Sequence, residues 1–347
     1  MASLTRQLTI VDALPKAELH LHLEGSIRPK TAVELAARHG TTLMPEEVAA
    51  RYRYSDFAGF IDTFKWVTSF LREPEDYALV TRKLLDELKR QNVVYAEITL
   101  SAGVMLRRMQ NVEANFAAIR ETARSVPFSG LRTAWIFDAA RQFGPDSAME
   151  VARWAAKLRT SGVVAFGMGG DEISYPAVNF RPAFDFARNE GLRIVCHAGE
   201  IGGPESVREA MELLGAERIG HGIAAMRDRA LAETLAIRRI VLEICPTSNL
   251  CTSALTKQIG KPSASLADHP LADFMTQGIH VTLSTDDPGM FHTDLLTEYS
   301  QAAALGLSNK QMFELAEESF HAAFLPPAEK RPLLEDFRTA ARLAGLL

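Results

Sequence analysis

Cysteine is scarce in this sequence. Cys196, Cys245 and Cys251 are the three among 347 residues, none in a CxxC pair and one odd in any pairing. A disulfide framework is not indicated, and a reduced, cytoplasmic setting is expected. Positive charge is not in excess either. Against 43 Asp+Glu stand 38 Lys+Arg, a formal net charge of −5. A nucleic-acid partner needs a clustered basic surface and is not expected. No run approaches the ~18 uninterrupted apolar residues of a membrane span, so no membrane partner is expected. The opening stretch MASLTRQLTIVDALPKAE lacks the apolar core of an export signal. There is no repeat, low-complexity block or long linker, and residues 1–347 read as a single domain. What remains is 47% apolar and 23% charged residues, ample material for a buried core.

Short β-branched or aromatic runs alternate with longer helical patterns. Eight strands are predicted at 17–24, 93–101, 131–140, 163–170, 193–200, 218–223, 241–248 and 280–288. A helix is predicted over 205–214, with Val207, Ala210, Met211 and Leu214 on one face, Pro204 before it and Gly215 as a C-cap. Eight strands alternating with helices predict an α/β fold, a (β/α)8 TIM barrel. A doubly wound sheet would want a glycine-rich phosphate turn after the first strand, and there is none. About 70 residues separate the first two strands, and 294–347 is helical, so extra helices are expected in both places. In the first insert, Phe57, Phe60, Ile61, Phe64, Val67 and Leu71 share a helical face, either packed on the barrel or lying over a site at its mouth.

Polar residues crowd the C-terminal ends of these strands, which converge on one mouth in a barrel. His20 and His22 lie two apart on the first strand, so both imidazoles point to the same face. With His197 from the fifth strand and Asp286 from the eighth, they make a reasonable Zn2+ ligand set with a position open for water. Glu200 follows His197 in HAGE, where a shielded carboxyl beside a metal would have a raised pKa and could donate a proton. His221, in GHG, could orient a metal-bound water. The GMGGDE loop offers unobstructed backbone N–H groups and contains no Lys. Without a bridging Lys, a single metal is favoured. Asp287, adjacent to Asp286, is badly placed for the same ion and better placed for substrate.

Assembled, these residues resemble the adenosine deaminase family of the amidohydrolase superfamily. The matching segments are PKAELHLHLEGSI, VVYAEITLS, GGDE, HAGE, RIGHGI, CPTSN and STDDPGMF, in family order from about residue 15 to residue 291. The resemblance implies one Zn2+ per chain on His20, His22, His197 and Asp286. It implies that Glu200 protonates purine N1 and that His221 holds the attacking water and helps deprotonate it. It implies contacts from the Gly170 backbone N–H to N3 and from Asp287 to N7. The implied activity is hydrolytic deamination of a 6-aminopurine nucleoside, with ammonia released.

Two departures concern the far end of the substrate. Glu24 stands where many family members that act on adenosine have Asp, which there meets the ribose 5′ end. The second strand reads AEITLSAG where the family often has Arg followed by Ser-Pro (here Thr99, Ser101 and Ala102). These leave open adenosine, free adenine and 6-aminodeoxyfutalosine, whose 5′ end carries a carboxylated aromatic group. Arg141 or Lys65 is a candidate partner for that carboxylate, the alternative for each being plain surface charge. AMP is disfavoured by the lack of a Lys/Arg cluster. A non-catalytic nucleoside-binding barrel would lack an acid or a ligand, and none is missing.

Overall fold

The computed structural model describes residues 10–346. The opening residues read above for an export signal lie partly outside this range. Eight parallel strands follow one another around a ring: β1 (Lys16–His22), β2 (Val93–Leu100), β3 (Arg132–Ala140), β4 (Val163–Gly169), β5 (Arg193–Ala198), β6 (Arg218–His221), β7 (Val241–Ile244) and β8 (His280–Leu283). Each pairs with the next. The ring closes just past β8, where the Asp286 N–H donates to His20 O at 3.0 Å and the His22 N–H donates to Asp286 O at 2.8 Å. Several strands, such as β2 (VVYAEITL) and β4 (VVAFGMG), read as mainly apolar runs because a parallel sheet has helices on one face and a filled interior on the other.

The expected extra helices are present. Between β1 and β2 lie Pro29–Arg38, Pro45–Arg51, Phe57–Thr68 and Pro74–Arg90, and the chain ends in Leu295–Ala304, Asn309–Ala322 and Pro327–Leu343. Proline opens many of these, where its fixed φ suits the first turn and its missing N–H costs nothing. The Pro204–Glu212 helix stops before Leu214, and Gly215 follows with a φ of +70°. No described helix is long and apolar enough to cross a membrane.

The barrel floor is not apolar. Arg218 of β6, 1% exposed, donates to Glu97 of β2 at 2.6 Å and lies 2.6 Å from Glu243 of β7. Phe324, arriving from the C-terminal helices, covers the guanidinium with its ring at 3.7 Å. An isolated buried charge would be prohibitive, so these three are tenable only as a set.

Candidate active site and metal centre

The strands carry His20, His22, His197 and His221 as expected, but several end earlier than the sequence suggests, leaving Glu24, Glu200, Asp286 and Asp287 just past them. β1 stops at His22 and β8 at Leu283, so Glu24 begins a 3-10 turn and Asp286 and Asp287 sit in a loop. The two cross-barrel hydrogen bonds at Asp286 fix it between His20 and His22. Its backbone is left-handed, φ +64°, as is that of His221, φ +62°. Non-glycine residues seldom hold that conformation, which costs on the order of 1–3 kcal/mol and persists only where surroundings impose it.

Four side chains converge below the mouth. His20 Nε2 stands 3.2 Å from Asp286 Oδ1, His22 Nε2 3.4 Å from the same oxygen, and His22 Nε2 3.3 Å from His197 Nε2. Among the described residues, two clusters of ligand atoms lie mutually within 4.8 Å: His20, His197, His221 and Asp286, and His22, Asp286 and Asp287. His20 is aimed by its other nitrogen, which meets Glu243 at 2.8 Å. That carboxylate ties the ring to the Arg218 floor. Ser248 donates to Asp286 Oδ2 at 2.7 Å, turning Oδ1 toward the imidazoles. Burial depresses His22 to about 4 and His197 well below the usual range. Both rings are therefore neutral, the form in which an imidazole nitrogen can ligate a metal ion. His20 behaves differently. Burial pulls it down, but its hydrogen bonds to the Asp286 and Glu243 carboxylates outweigh burial and carry it to about 10. Asp286 sits well below the usual carboxylate range, burial being overcome by His20 and the other imidazoles.

Other carboxyls here are shifted the other way. Glu200 is raised well above its ordinary value by burial, with Asp286 and Glu172 adding to it. Asp287 is raised by burial and then by Asp286. Both are pushed toward the protonated form. Asp287 Oδ1 is buried with no partner, and so is His221 Nε2, which lies 3.7 Å from Glu200 and 3.8 Å from Asp286. Asp287 fits because residue 25 is glycine. A Cβ there would stand 1.6 Å from Asp287 Oδ1.

These groups floor a half-open cavity of about 140 Å3, whose lining includes His22, His197, Glu200, His221, Asp286, Asp287 and Gly170. Gly170 has a φ of +100°, and a Cβ on it would meet Gln142 Oε1 at 2.3 Å, so glycine is required. Toward solvent the wall turns apolar, with Phe57, Phe60, Ile61, Phe64, Val104 and Phe143, and Lys65 at the rim. The Phe57–Thr68 helix serves both readings of its pattern. Its first turns line the cavity, while Val67 and the following Leu71 enter the core. Glu24 lies behind the wall, its Oε1 accepting the backbone N–H of Ser101, which does line the cavity. Burial raises Glu24 to about 7. Arg141 is not surface charge. It is 1% exposed and donates to the carbonyls of His197 at 3.0 Å and Tyr175 at 3.2 Å.

Sequence reasoning missed the supports. Glu172 accepts the backbone N–H groups of Gly199 (2.6 Å), Glu200 (3.1 Å) and Ile201 (3.0 Å), plus the Ser206 hydroxyl (2.5 Å). It holds the whole HAGE turn. Its signal was an acid in a glycine-rich loop, which reads equally well as surface charge. Glu243, a lone acid in the apolar strand VLEI, was a clearer signal. Asp138 of β3 also lines the cavity and is raised to about 8 by burial.

A closed ring of parallel strands with imidazoles and a carboxylate gathered at its C-terminal mouth defines a metal-dependent hydrolase barrel. Comparison with known proteins narrows the class. The adenosine deaminase family profile matches residues 15–340. The aminodeoxyfutalosine deaminase of Streptomyces avermitilis is 42% identical over 345 residues, covering 97% of this chain and 94% of that protein. The adenine deaminase of Agrobacterium fabrum is 35% identical over 323 residues, covering 92% and 97%. Among solved structures, an adenine deaminase from Arthrobacter aurescens superposes with a TM-score of 0.85 at 29% identity, covering 95% of this chain and all of that one. An amidohydrolase from Burkholderia ambifaria with bound Zn gives 0.85 at 25% identity, covering 97% and 94%. The chain belongs to the adenosine deaminase family, and it is a hydrolytic deaminase with a metal site.

Proposed function

We propose that the protein deaminates a 6-aminopurine nucleoside, using one zinc ion held by His20, His22, His197 and Asp286. Tetrahedral zinc with bonds of about 2.0–2.1 Å sets its ligand atoms about 3.3 Å apart. The neighbouring donors measured here stand at 3.2, 3.3 and 3.4 Å. Bound there, the ion would lower the pKa of water from 15.7 toward about 7 and so supply the nucleophile at neutral pH.

The chain's own groups suit the rest of the chemistry. Glu200, pushed toward its protonated form by burial, donates to purine N1 and makes C6 electrophilic. Asp287 is also pushed toward its protonated form, the form this contact needs, because N7 is an acceptor and a carboxylate would repel it. The Gly170 N–H meets N3. His221 presents Nε2 to the same space. Glu24 bears on the substrate through Ser101.

The favoured substrate is 6-aminodeoxyfutalosine. The observation that carries this is the continuous apolar wall leading out to Lys65. A carboxylated aromatic group at the 5′ end would lie along Phe57, Phe60 and Phe64 and end at a cation. Lys65 is the one Lys or Arg among the lining residues, and Arg141 is committed to backbone carbonyls, so a doubly charged phosphate is poorly served. The Streptomyces relative supports the same choice. Free adenine is the second reading, supported by the adenine deaminase relatives. The test is ammonia release from adenine, adenosine, 5′-deoxyadenosine and 6-aminodeoxyfutalosine, ranked by kcat/KM. 6-Aminodeoxyfutalosine should rank first, and Lys65→Ala should raise KM for it and spare adenosine. Adenine ranking first overturns the substrate. No ammonia from any of them, with the enzyme zinc-replete, overturns the reaction.

A further inference from the structure

His221 is the end of a buried chain of hydrogen bonds that enters the site from behind. The Leu271 backbone N–H lies 3.2 Å from His269 Nδ1. A backbone N–H can only donate, so Nδ1 of His269 is an acceptor. Its ring is neutral, held down to about 3 by burial and then by His221, so its proton sits on Nε2. That nitrogen is 3.2 Å from Asn249 Oδ1. Asn249 then turns its amide NH2 toward His221, with Nδ2 3.1 Å from His221 Nδ1. Every link is buried: His269 is 4% exposed, Asn249 0% and His221 1%. No water is needed to complete the chain, and no link can reverse unless the first one does.

From this we infer that Asn249 and His269 are positioning residues that fix His221 in the Nε2–H tautomer, so that it enters the site as a hydrogen-bond donor. Asn249 must donate, so Nδ1 of His221 must accept. The proton of a neutral His221 is thereby placed on Nε2, the buried nitrogen without a partner that faces Glu200 and Asp286. Two consequences follow. A donor nitrogen has no lone pair for a metal, which removes His221 from the cluster it forms with His20, His197 and Asp286 and leaves His22 as the third imidazole. A donor nitrogen also cannot take a proton from the attacking water. It orients that oxygen and stabilises the negative charge that develops on it, the role of an oxyanion donor. This inference rests on the deaminase reading for its catalytic part and on hydrogen-bond direction alone for the tautomer.

The two parts are separable by experiment. Side-chain 15N NMR of the histidine-labelled protein, metal-free and zinc-loaded, reports which ring nitrogen of His221 is protonated. The expected result is Nε2–H with a bare Nδ1 in both forms. Asn249→Asp replaces the donor with an acceptor and should reverse the tautomer. It should lower kcat about 100-fold, the usual cost of one preorganised donor, with KM and zinc content little changed. His269→Ala should leave a mixture of tautomers. His269→Gln, whose amide can still donate to Asn249, should restore the Nε2–H form, and it serves if Asn249→Asp fails to fold. A purely structural role would lower stability and leave the tautomer alone. Nδ1–H in the wild-type protein, or an unchanged tautomer in folded Asn249→Asp, overturns the inference. The NMR result stands whether or not ammonia is released.

Discussion

Glu172→Gln is a sharp test of how the site is built, because Glu172 touches no substrate and yet holds the segment carrying Glu200. Its Oε2 accepts from Gly199 N and Ser206 Oγ, and its Oε1 from Glu200 N and Ile201 N. Glutamine keeps one acceptor oxygen and turns an NH2 toward the other pair. If the NH2 replaces Oε2, the Ser206 hydroxyl can rotate to accept, but the Gly199 N–H is orphaned. A buried orphan costs about 1–3 kcal/mol, and the bonds that survive lose their charge-assisted share. The sum is about 3 kcal/mol. Unfolding entropy of about 2.1 cal/mol/K per residue, taken over this chain, makes about 0.7 kcal/mol/K, so Tm should fall by about 4 °C. The catalytic effect should be larger. A shift of about 1 Å in Glu200 can cost about 100-fold in kcat. Calorimetry of the zinc-loaded enzyme gives the first quantity and steady-state ammonia release the second. Unchanged Tm and kcat in Glu172→Gln would refute the idea that this carboxylate sets the turn.

Three further outcomes are expected. Glu200→Gln should retain zinc and lose at least about 100-fold in kcat, read by metal analysis and turnover together. Near-normal turnover would dismiss Glu200 as the acid. Gly220→Ala should weaken metal binding, since the new Cβ would stand 2.6 Å from His20 Cε1, and zinc dissociation measured with a competing chelator should be faster. Glu298→Gln tests the cost of a buried carboxylate. Burial raises Glu298 to about 7 from 4.5, so between those values the folded state binds more protons than the unfolded one. Its contribution to stability is therefore present in full below about pH 4.5 and is lost as pH rises to about 7, by about 3 kcal/mol. The stability of Glu298→Gln relative to wild type should improve by that amount between about pH 5 and about pH 8 in urea unfolding. A difference that does not move with pH would contradict the sign.

The order of elements was legible because a parallel barrel writes its strands as apolar runs, and the polar residues that interrupt those runs fall at one end. His20, His22, His197, Glu200, His221, Asp286 and Asp287 were found that way, and the structure gathers all seven at one mouth. Strand ends were less legible. The predicted runs at 193–200 and 280–288 extend past Ala198 and Leu283, since the loops that follow are buried too and nothing in their sequence marks where strand pairing stops. Arg141 could not be placed, because nothing local tells a surface arginine from one donating to carbonyls across the barrel. The same holds for Asn249 and His269, which act through His221 from 28 residues further along and then 20 more. Contacts of that range depend on which side chains the ring brings face to face, and local periodicity carries no such information.

Deamination by this chain requires one metal ion among the imidazoles of β1 and β5 and the carboxylate after β8. A crystal structure of zinc-loaded protein, with anomalous difference maps at the zinc edge, tests it directly. One peak should appear, bonded to His20, His22, His197 and Asp286 at about 2.0–2.2 Å, with His221 Nε2 outside bonding distance. A peak ligated by His221 in place of His22, a second metal beside the first, or an empty site under zinc-replete conditions would contradict it.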